Sequence, residues 1–253
     1  MDKTQLQKLN LPIELDIFTQ IPSTNTKLWQ LIDEGQTLPR VAIALAQTAG
    51  RGQWGRTWQS PPGGLYLSLG LTPNLPIDSA SHLVFAVAWG VATRLRSLEL
   101  PILLKWPNDL ILQGRKLGGI KIENRISQNR ITHSVIGIGI NYSNPVPDRG
   151  INLAAIADKL SLEQLAILTI EGIWYGYTNY LKEGIEPILL LYEQLLINLG
   201  QKITFNRAEG VVTGVTADGE LRVRFFSSGA SVEICLQPGT INLGYCEEIL
   251  PTQ

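Results

Sequence analysis

The sequence predicts an α+β protein: a mixed sheet flanked by helices over residues 1–199, then a small β-barrel over residues 200–253. Three observations predict it. Up to residue 199, apolar runs of strand length alternate with stretches of helical periodicity. From Gln201 the texture changes to short β-like runs at 202–205, 210–216, 221–226, 231–236 and 240–243. Between two of these, Ala217-Asp218-Gly219-Glu220 is a strong hairpin signal.

Taken in order, residues 1–12 are polar and are expected to be loosely held. Residues 14–19 alternate as a strand. Ser23 or Thr24 can cap a helix whose apolar stripe is Leu28, Leu31 and Ile32, with Gly35 ending it. Residues 41–47 and 65–71 read as strands on either side of a glycine- and arginine-rich loop. A second helix starts at Asp78-Ser79 and carries Leu83, Val87, Val91 and Leu95 on one face; His82 reads as a surface residue. Two strands then meet at Trp106-Pro107-Asn108-Asp109, and a turn falls at Gln113-Gly114. Residues 131–142 form a strand with alternate glycines, and residues 144–150 a loop. Ser161 caps a long helix to about residue 181, whose aromatics Trp174, Tyr175, Tyr177 and Tyr180 serve packing and surface. After Gly184 a further helix runs to about residue 199, ended by Gly200.

Composition narrows the function. The 253 residues are 44% hydrophobic and 17% charged, with a net charge of −1. That is a globular balance without the broad basic footprint of a nucleic-acid or membrane-surface binder. The longest apolar run, residues 83–92, is well short of the roughly 18–20 residues of a membrane span. The N-terminus has no apolar signal region, which points to a cytoplasmic protein. Cys235 and Cys246 match no zinc spacing and read as two small buried hydrophobes.

Four motifs carry chemistry. Gln47-Thr-Ala-Gly50-Arg51-Gly-Gln53-Trp-Gly-Arg56-Thr-Trp58 is a glycine loop with fixed positive charge, suited to an anion approached closely by backbone. Its G-x-G-x-x-G spacing is not a dinucleotide fingerprint, because Ser60-Pro-Pro-Gly-Gly follows where a helix would be needed. Ser23-Thr24-Asn25 puts hydroxyls at a helix N-terminus, either as caps or facing a polar ligand. Lys105-Trp106-Pro-Asn108-Asp109 precedes Arg115-Lys116-Leu-Gly118-Gly119. A lysine ending an apolar strand needs a partner. Either Lys105 pairs with Asp109 as a structural bridge, or Lys105 and Lys116 hold an anionic substrate while Asp109 orients a lysine or a metal. Gly137-Ile-Gly139-Ile-Asn141 gives one strand face without side chains, where a flat ligand or another backbone can lie.

Together, in this order over roughly residues 14–153, the four motifs resemble biotin protein ligase, and the small C-terminal unit agrees with the SH3-like barrel of that family. The resemblance implies biotin and MgATP as substrates, biotinoyl-5′-AMP as intermediate, and a lysine of the biotin carboxyl carrier protein of acetyl-CoA carboxylase as acceptor. It implies Lys116 and Arg51 as the catalytic pair, offsetting the repulsion of two anions. Biotin would contact Ser23, Thr24, Asn25, Gln47, Gly50, Arg51, Lys116, Gly119, Gly137 and Gly139. ATP would contact Arg51, Arg56, Lys105, Trp106, Asn108, Lys116 and Asn141, with packing an equal claim on Trp106. Asp109 would orient a lysine or help hold Mg²⁺. Family members of this form are monomers or homodimers.

Two departures stand out. Family loops often read Gly-Arg-Gly-Arg, whereas Gln53 occupies the second arginine position here, so weaker retention of the adenylate is expected. Only 22 residues precede Ser23, too few for the DNA-binding domain that some members carry, so a ligase-only form without nucleic-acid binding is expected. The rivals are a lipoate or octanoate protein ligase, whose Arg-x-x-Gly-Gly-Gly-type loop is missing, and a non-catalytic biotin or nucleotide sensor, which would not need Lys116, Arg51 and Asp109.

Overall fold

The computed structural model describes residues 1–6, 8–154, 156–157, 159–227 and 230–245. The larger sheet contains β1 (Glu14–Phe18), β2 (Arg40–Ala44), β3 (Leu65–Leu71), β4 (Leu75–Pro76), β5 (Leu103–Lys105), β6 (Asp109–Leu112), β7 (Arg115–Ser127) and β8 (Arg130–Ile140). Its order is β1-β2-β3-β8-β7-β6-β5, with β4 paired to β8 off this path. The sheet is mixed because β1 and β2 run parallel. Parallel neighbours need a long crossover, and α2 (Thr24–Asp33) supplies it. The other pairs are antiparallel.

Helices cover both faces. Leu28 of α2 packs with Ala42 and Val135 on one side. On the other lie α3 (Ala80–Arg96), α4 (Leu162–Glu183) and α5 (Ile185–Gln194). Residues 65–71, read from sequence as an alternating strand, are therefore buried at every position of β3. Leu83, Val87, Val91 and Leu95 are fully buried, as their spacing predicts. Small residues bring α3 and α4 together: a Cβ on Gly176 would collide with the Ala86 carbonyl, and one on Gly90 with the Gly172 carbonyl. Ser161 starts α4 with a full capping box, its side chain accepting from the Gln164 amide.

Five expectations change. The N-terminus is docked: α1 (Lys3–Leu6) buries Leu6, and the Asp2 amide donates to Glu163 at 2.9 Å. His82 is half-buried, its Nδ1 lying 3.0 Å from the Tyr180 hydroxyl. The last long helix stops at Gln194, because residues 195–197 leave it to flank β5: the Leu104 amide donates to the Leu195 carbonyl and the Ile197 amide to that of Leu104, each at 2.8 Å. This covers the edge of the sheet. Cys235 is exposed on an outer strand; Cys246 lies outside the described residues.

The fifth difference bears on the site. The C-terminal unit is an antiparallel sheet of β9 (Lys202–Phe205), β10 (Ala208–Val215), β11 (Leu221–Ser227) and β12 (Ala230–Leu236). Its apolar face, with Val212, Val215, Leu221 and Val223, joins the same hydrophobic cluster as the large sheet. The expected strand at 240–243 is not one. This segment runs instead along a cleft at the edge of the larger sheet, which Gly239, Ile241, Asn242, Leu243 and Tyr245 line.

Candidate active site

The cleft encloses about 320 Å³. Its floor follows from the pleat of β7 and β8. Gly119 pairs with Gly139, and Lys121 with Gly137. Alternation sends Ile120, Ile136 and Ile138 into the core on the opposite face. The two bare glycines of β8 are filled from above. A Cβ on Gly137 would strike the Asn25 amide, and one on Gly139 the Trp58 indole. The smooth strand face that the sequence suggested is thus seating for two side chains from α2 and the glycine loop.

One set of groups at the cleft is neutral. Ser23 is the N-cap of α2 yet makes no capping bond with its side chain. Gln47 Oε1 accepts from the Thr24 amide at 2.8 Å, and Gln47 Nε2 donates to Ser60 Oγ at 2.8 Å. Ser68 Oγ lies 2.6 Å from both Thr24 Oγ1 and Asn25 Oδ1. This leaves Asn25 Nδ2 and Trp58 Nε1 as buried donors with no partner among the described residues. Two orphaned donors beside one cleft suit a ligand that offers acceptors.

A second set is cationic. Arg51, Arg56, Lys105, Lys116, Lys121 and Arg149 line the cleft, against one carboxylate among the described residues, Asp109. Such an excess focuses a positive field on any bound anion. Asp109 Oδ1 accepts from Lys116 Nζ at 2.6 Å, and Oδ2 from the Tyr245 hydroxyl at 2.8 Å. Burial, with Asp109's charge adding to it, holds the Tyr245 phenol far above its ordinary pKa, so it stays a neutral donor. The Tyr245 ring also lies against Lys105, with Nζ 3.7 Å from its centroid. Among the described residues no group of three or more His, Cys, Asp or Glu gathers to hold a metal. Each oxygen of Asp109 thus accepts from a protein donor, an arrangement that fits the orienting of Lys116.

The glycine loop is a small hairpin. Arg51 and Thr57 bridge, and the Gly52 amide donates to the Arg56 carbonyl at 2.7 Å. Gly50 serves this hairpin and does not line the cleft: a Cβ there would meet the Trp58 carbonyl and Ser60 Oγ. Arg51 lines the cleft while pairing with Glu123 at 3.2 Å. Gln53 also lines it, and its Nε2 donates to the Ile120 carbonyl at 3.3 Å.

Of the residues marked from sequence, all but Gly50 and Asn141 line this cleft. Asn141 lines an adjoining recess that shares Trp58, Lys116, Arg149 and Tyr245. Trp106 is 4% exposed, with its indole N–H donating to the Gly219 carbonyl at 3.0 Å, so packing claims most of it. Asn108 is likewise committed, donating to the Ile120 carbonyl at 2.7 Å. Missed from sequence were Trp58, Lys121, Ser68, Arg149 and Tyr245. Trp58 closes the glycine motif and was open to notice. Tyr245 lies far along the chain in a segment read as barrel.

Residues 17–141 match the model of the Biotin/lipoate A/B protein ligase family. The chain is 34% identical over 213 residues to the bifunctional ligase/repressor BirA of Escherichia coli, covering 79% of this chain and 66% of that protein. It is 35% identical over 111 residues to the biotin–[acetyl-CoA-carboxylase] ligase of Paracoccus denitrificans, 43% of this chain and 46% of that one. The chain spans less than two thirds of the length of the bifunctional ligase/repressors it matches, 63% for those of the two Bacillus species. Among solved structures, a biotin protein ligase from Aquifex aeolicus in complex with biotin and ATP shares the fold, with a TM-score of 0.71 and 24% identity over 87% of this chain and 95% of that one.

Proposed function

We propose, from the premise that this chain belongs through residues 17–141 to the Biotin/lipoate A/B protein ligase family, that it joins biotin to a lysine of a biotin carboxyl carrier protein. ATP activates the biotin carboxylate as biotinoyl-5′-AMP with release of pyrophosphate, and the carrier lysine then displaces AMP. One observation carries the reading. Lys116, held by Asp109, lines the same cleft as the neutral hydrogen-bonding groups Thr24, Asn25 and Gln47 and the cationic side chains Arg51, Arg56 and Lys105.

Each set has its task. Ser23, Thr24, Asn25 and Gln47 face a neutral polar head group, the ureido ring of biotin, whose buried polar atoms need partners. The orphaned Asn25 Nδ2 is a donor for its carbonyl. Lys116 stands where carboxylate and α-phosphate meet and neutralises charge that builds as they join. Asp109 and Tyr245 fix the direction of that ammonium. Arg51, Arg56 and Lys105 attract and hold the phosphates. A Mg²⁺ ion brought in with the nucleotide would add charge neutralisation of its own. Trp58, which lines both recesses, offers a ring for the base.

The neutral set also favours biotin over lipoate or octanoate, whose apolar tails would leave Asn25 Nδ2 and the Thr24–Gln47 pair without a ligand acceptor or donor. The test is incubation with MgATP and either biotin or lipoate, with and without a biotin carrier domain, following pyrophosphate and carrier mass. Biotin-dependent pyrophosphate and a biotinylated carrier are expected; their absence overturns the reading.

A further inference from the structure

We propose that Lys121 is a positioning residue, a latch that holds the 50–58 hairpin shut over the cleft. The proposal rests on the function proposed above and adds to it a residue that none of the four motifs contains.

Lys121 lies in the middle of β7, directly across from Gly137. It shares the cleft floor with Gly119. An ammonium at this place loses hydration unless something else receives its protons. Its Nζ donates to the Gly52 carbonyl at 2.8 Å and lies 3.5 Å from Glu123 Oε1. The Lys121 side chain is only 23% exposed.

The contact belongs to a set. Three consecutive loop residues meet three residues of one strand: Arg51 pairs with Glu123, Gly52 with Lys121, and Gln53 with the Ile120 carbonyl. The three are not equal. Arg51 is the residue that bound phosphate or carboxylate would draw away, and its side chain is 47% exposed. Gln53 makes a neutral bond at 3.3 Å. Lys121 makes a charge-assisted bond to backbone, which persists when Arg51 turns to substrate. Closure therefore depends on Lys121 at the stage when Arg51 is occupied elsewhere. This also answers for Gln53: where the resembling loops carry a second arginine, this chain draws its positive charge from the strand below.

The test compares the parent with Lys121→Met, which keeps the stem and removes the donor, and Lys121→Arg, which keeps a donor. Labelled biotinoyl-AMP is formed on each protein from biotin and ATP, and its loss into excess unlabelled biotin and ATP is followed. Expected is loss about tenfold faster from Lys121→Met and near-parental loss from Lys121→Arg. Hydrogen exchange of the full chain without substrates reads the latch directly: faster exchange confined to the amides of residues 52–58 in Lys121→Met is expected. Unchanged adenylate loss in Lys121→Met, or equal acceleration in Lys121→Arg, overturns the proposal. If the parent releases no biotin-dependent pyrophosphate, the functional reading falls, and the latch stands or falls on exchange alone, parental exchange in Lys121→Met refuting it.

Discussion

Lys116 reaches Asp109 because β7 carries one residue too many. Asp109 pairs with Gly119 and Leu110 with Gly118, but Ile111 pairs with Lys116, so Leu117 is the extra residue of a bulge. Strict alternation from the cleft-facing Gly119 would turn Leu117 to the cleft and Lys116 to the core. The bulge reverses both: Leu117 is buried in the core, and Lys116 Nζ lies 2.6 Å from Asp109 Oδ1. Lys116→Ala is expected to slow adenylate formation by on the order of 10²–10³-fold or more. Its circular dichroism should match the parent, because the side chain is not core. Asp109→Asn keeps an acceptor without charge and should cost less, on the order of tenfold, in kcat rather than in KM for biotin. Pre-steady-state pyrophosphate release measures both, and parental rates in Lys116→Ala would remove it from the chemistry.

Two tryptophans divide the work that the sequence left open between ligand and packing. Trp106 is buried with its N–H on the Gly219 carbonyl, whereas Trp58 has an indole N–H without a partner among the described residues and lines both recesses. Trp58→Ala should raise KM for ATP about tenfold or more, in keeping with about 1–3 kcal/mol for a base stacked on an aromatic ring. Trp106→Phe should leave KM for ATP near the parent while lowering stability by about 1–3 kcal/mol, the cost of a buried carbonyl without its donor. Urea unfolding beside ATP titration separates the two; the opposite assignment of effects would return the base to Trp106.

Much of this was legible from local signals. Ser161 and Gln164 state a helix start in their own types, and Gln113-Gly114 a turn; both are in place. The large sheet was legible because each strand is an apolar run. The bulge at Leu117 was not, because nothing in Arg-Lys-Leu-Gly-Gly distinguishes a regular strand from one with an extra residue. The close crossing of α3 and α4 depends on Ala86 and Gly90 meeting Gly172 and Gly176, pairs that lie far apart in sequence and acquire meaning only when brought together. Residues 240–243 have the composition of a strand, but burial against the cleft and not ladder pairing fixes their course. Tyr245 and Lys121 escaped notice for a related reason: a lone tyrosine and a strand lysine are ordinary until the fold sets them beside Asp109 and Gly52.

The cleft floor separates space from conformation. Gly137 has no left-handed backbone; what it lacks is room, since a Cβ would enter the Asn25 amide that Ser68 holds. Gly137→Ala should displace Asn25, raise KM for biotin at least about tenfold, and lower stability by about 1–3 kcal/mol through overpacking. Gly119 differs: a Cβ there finds Asp109 Oδ1 at 3.5 Å and Lys116 Cε at 3.6 Å, ordinary contacts. Gly119→Ala should therefore unfold at the parental midpoint and lose only ligand affinity. Equal unfolding midpoints for the two variants would show that Asn25 adjusts freely.

Far from the cleft, His82 gives the fold a pH dependence of its own. Its ring is packed edge-on to Tyr180 with centroids 5.5 Å apart, and Nδ1 lies 3.0 Å from the Tyr180 hydroxyl. Burial holds its pKa below the ordinary histidine value of 6.5, against the opposing pull of Glu186, Asp218 and Asp78. The folded state thus binds the proton less readily than the unfolded chain. The stabilisation is complete above pH 6.5 and is lost as pH falls through the folded value. Melting temperature should therefore drop between pH 7.5 and 5.5 by more in the parent than in His82→Gln, which cannot titrate. Parallel pH profiles for the two proteins would mean that His82 keeps an ordinary pKa. The ratio of their turnover rates should stay constant over the same range, because His82 lines neither recess.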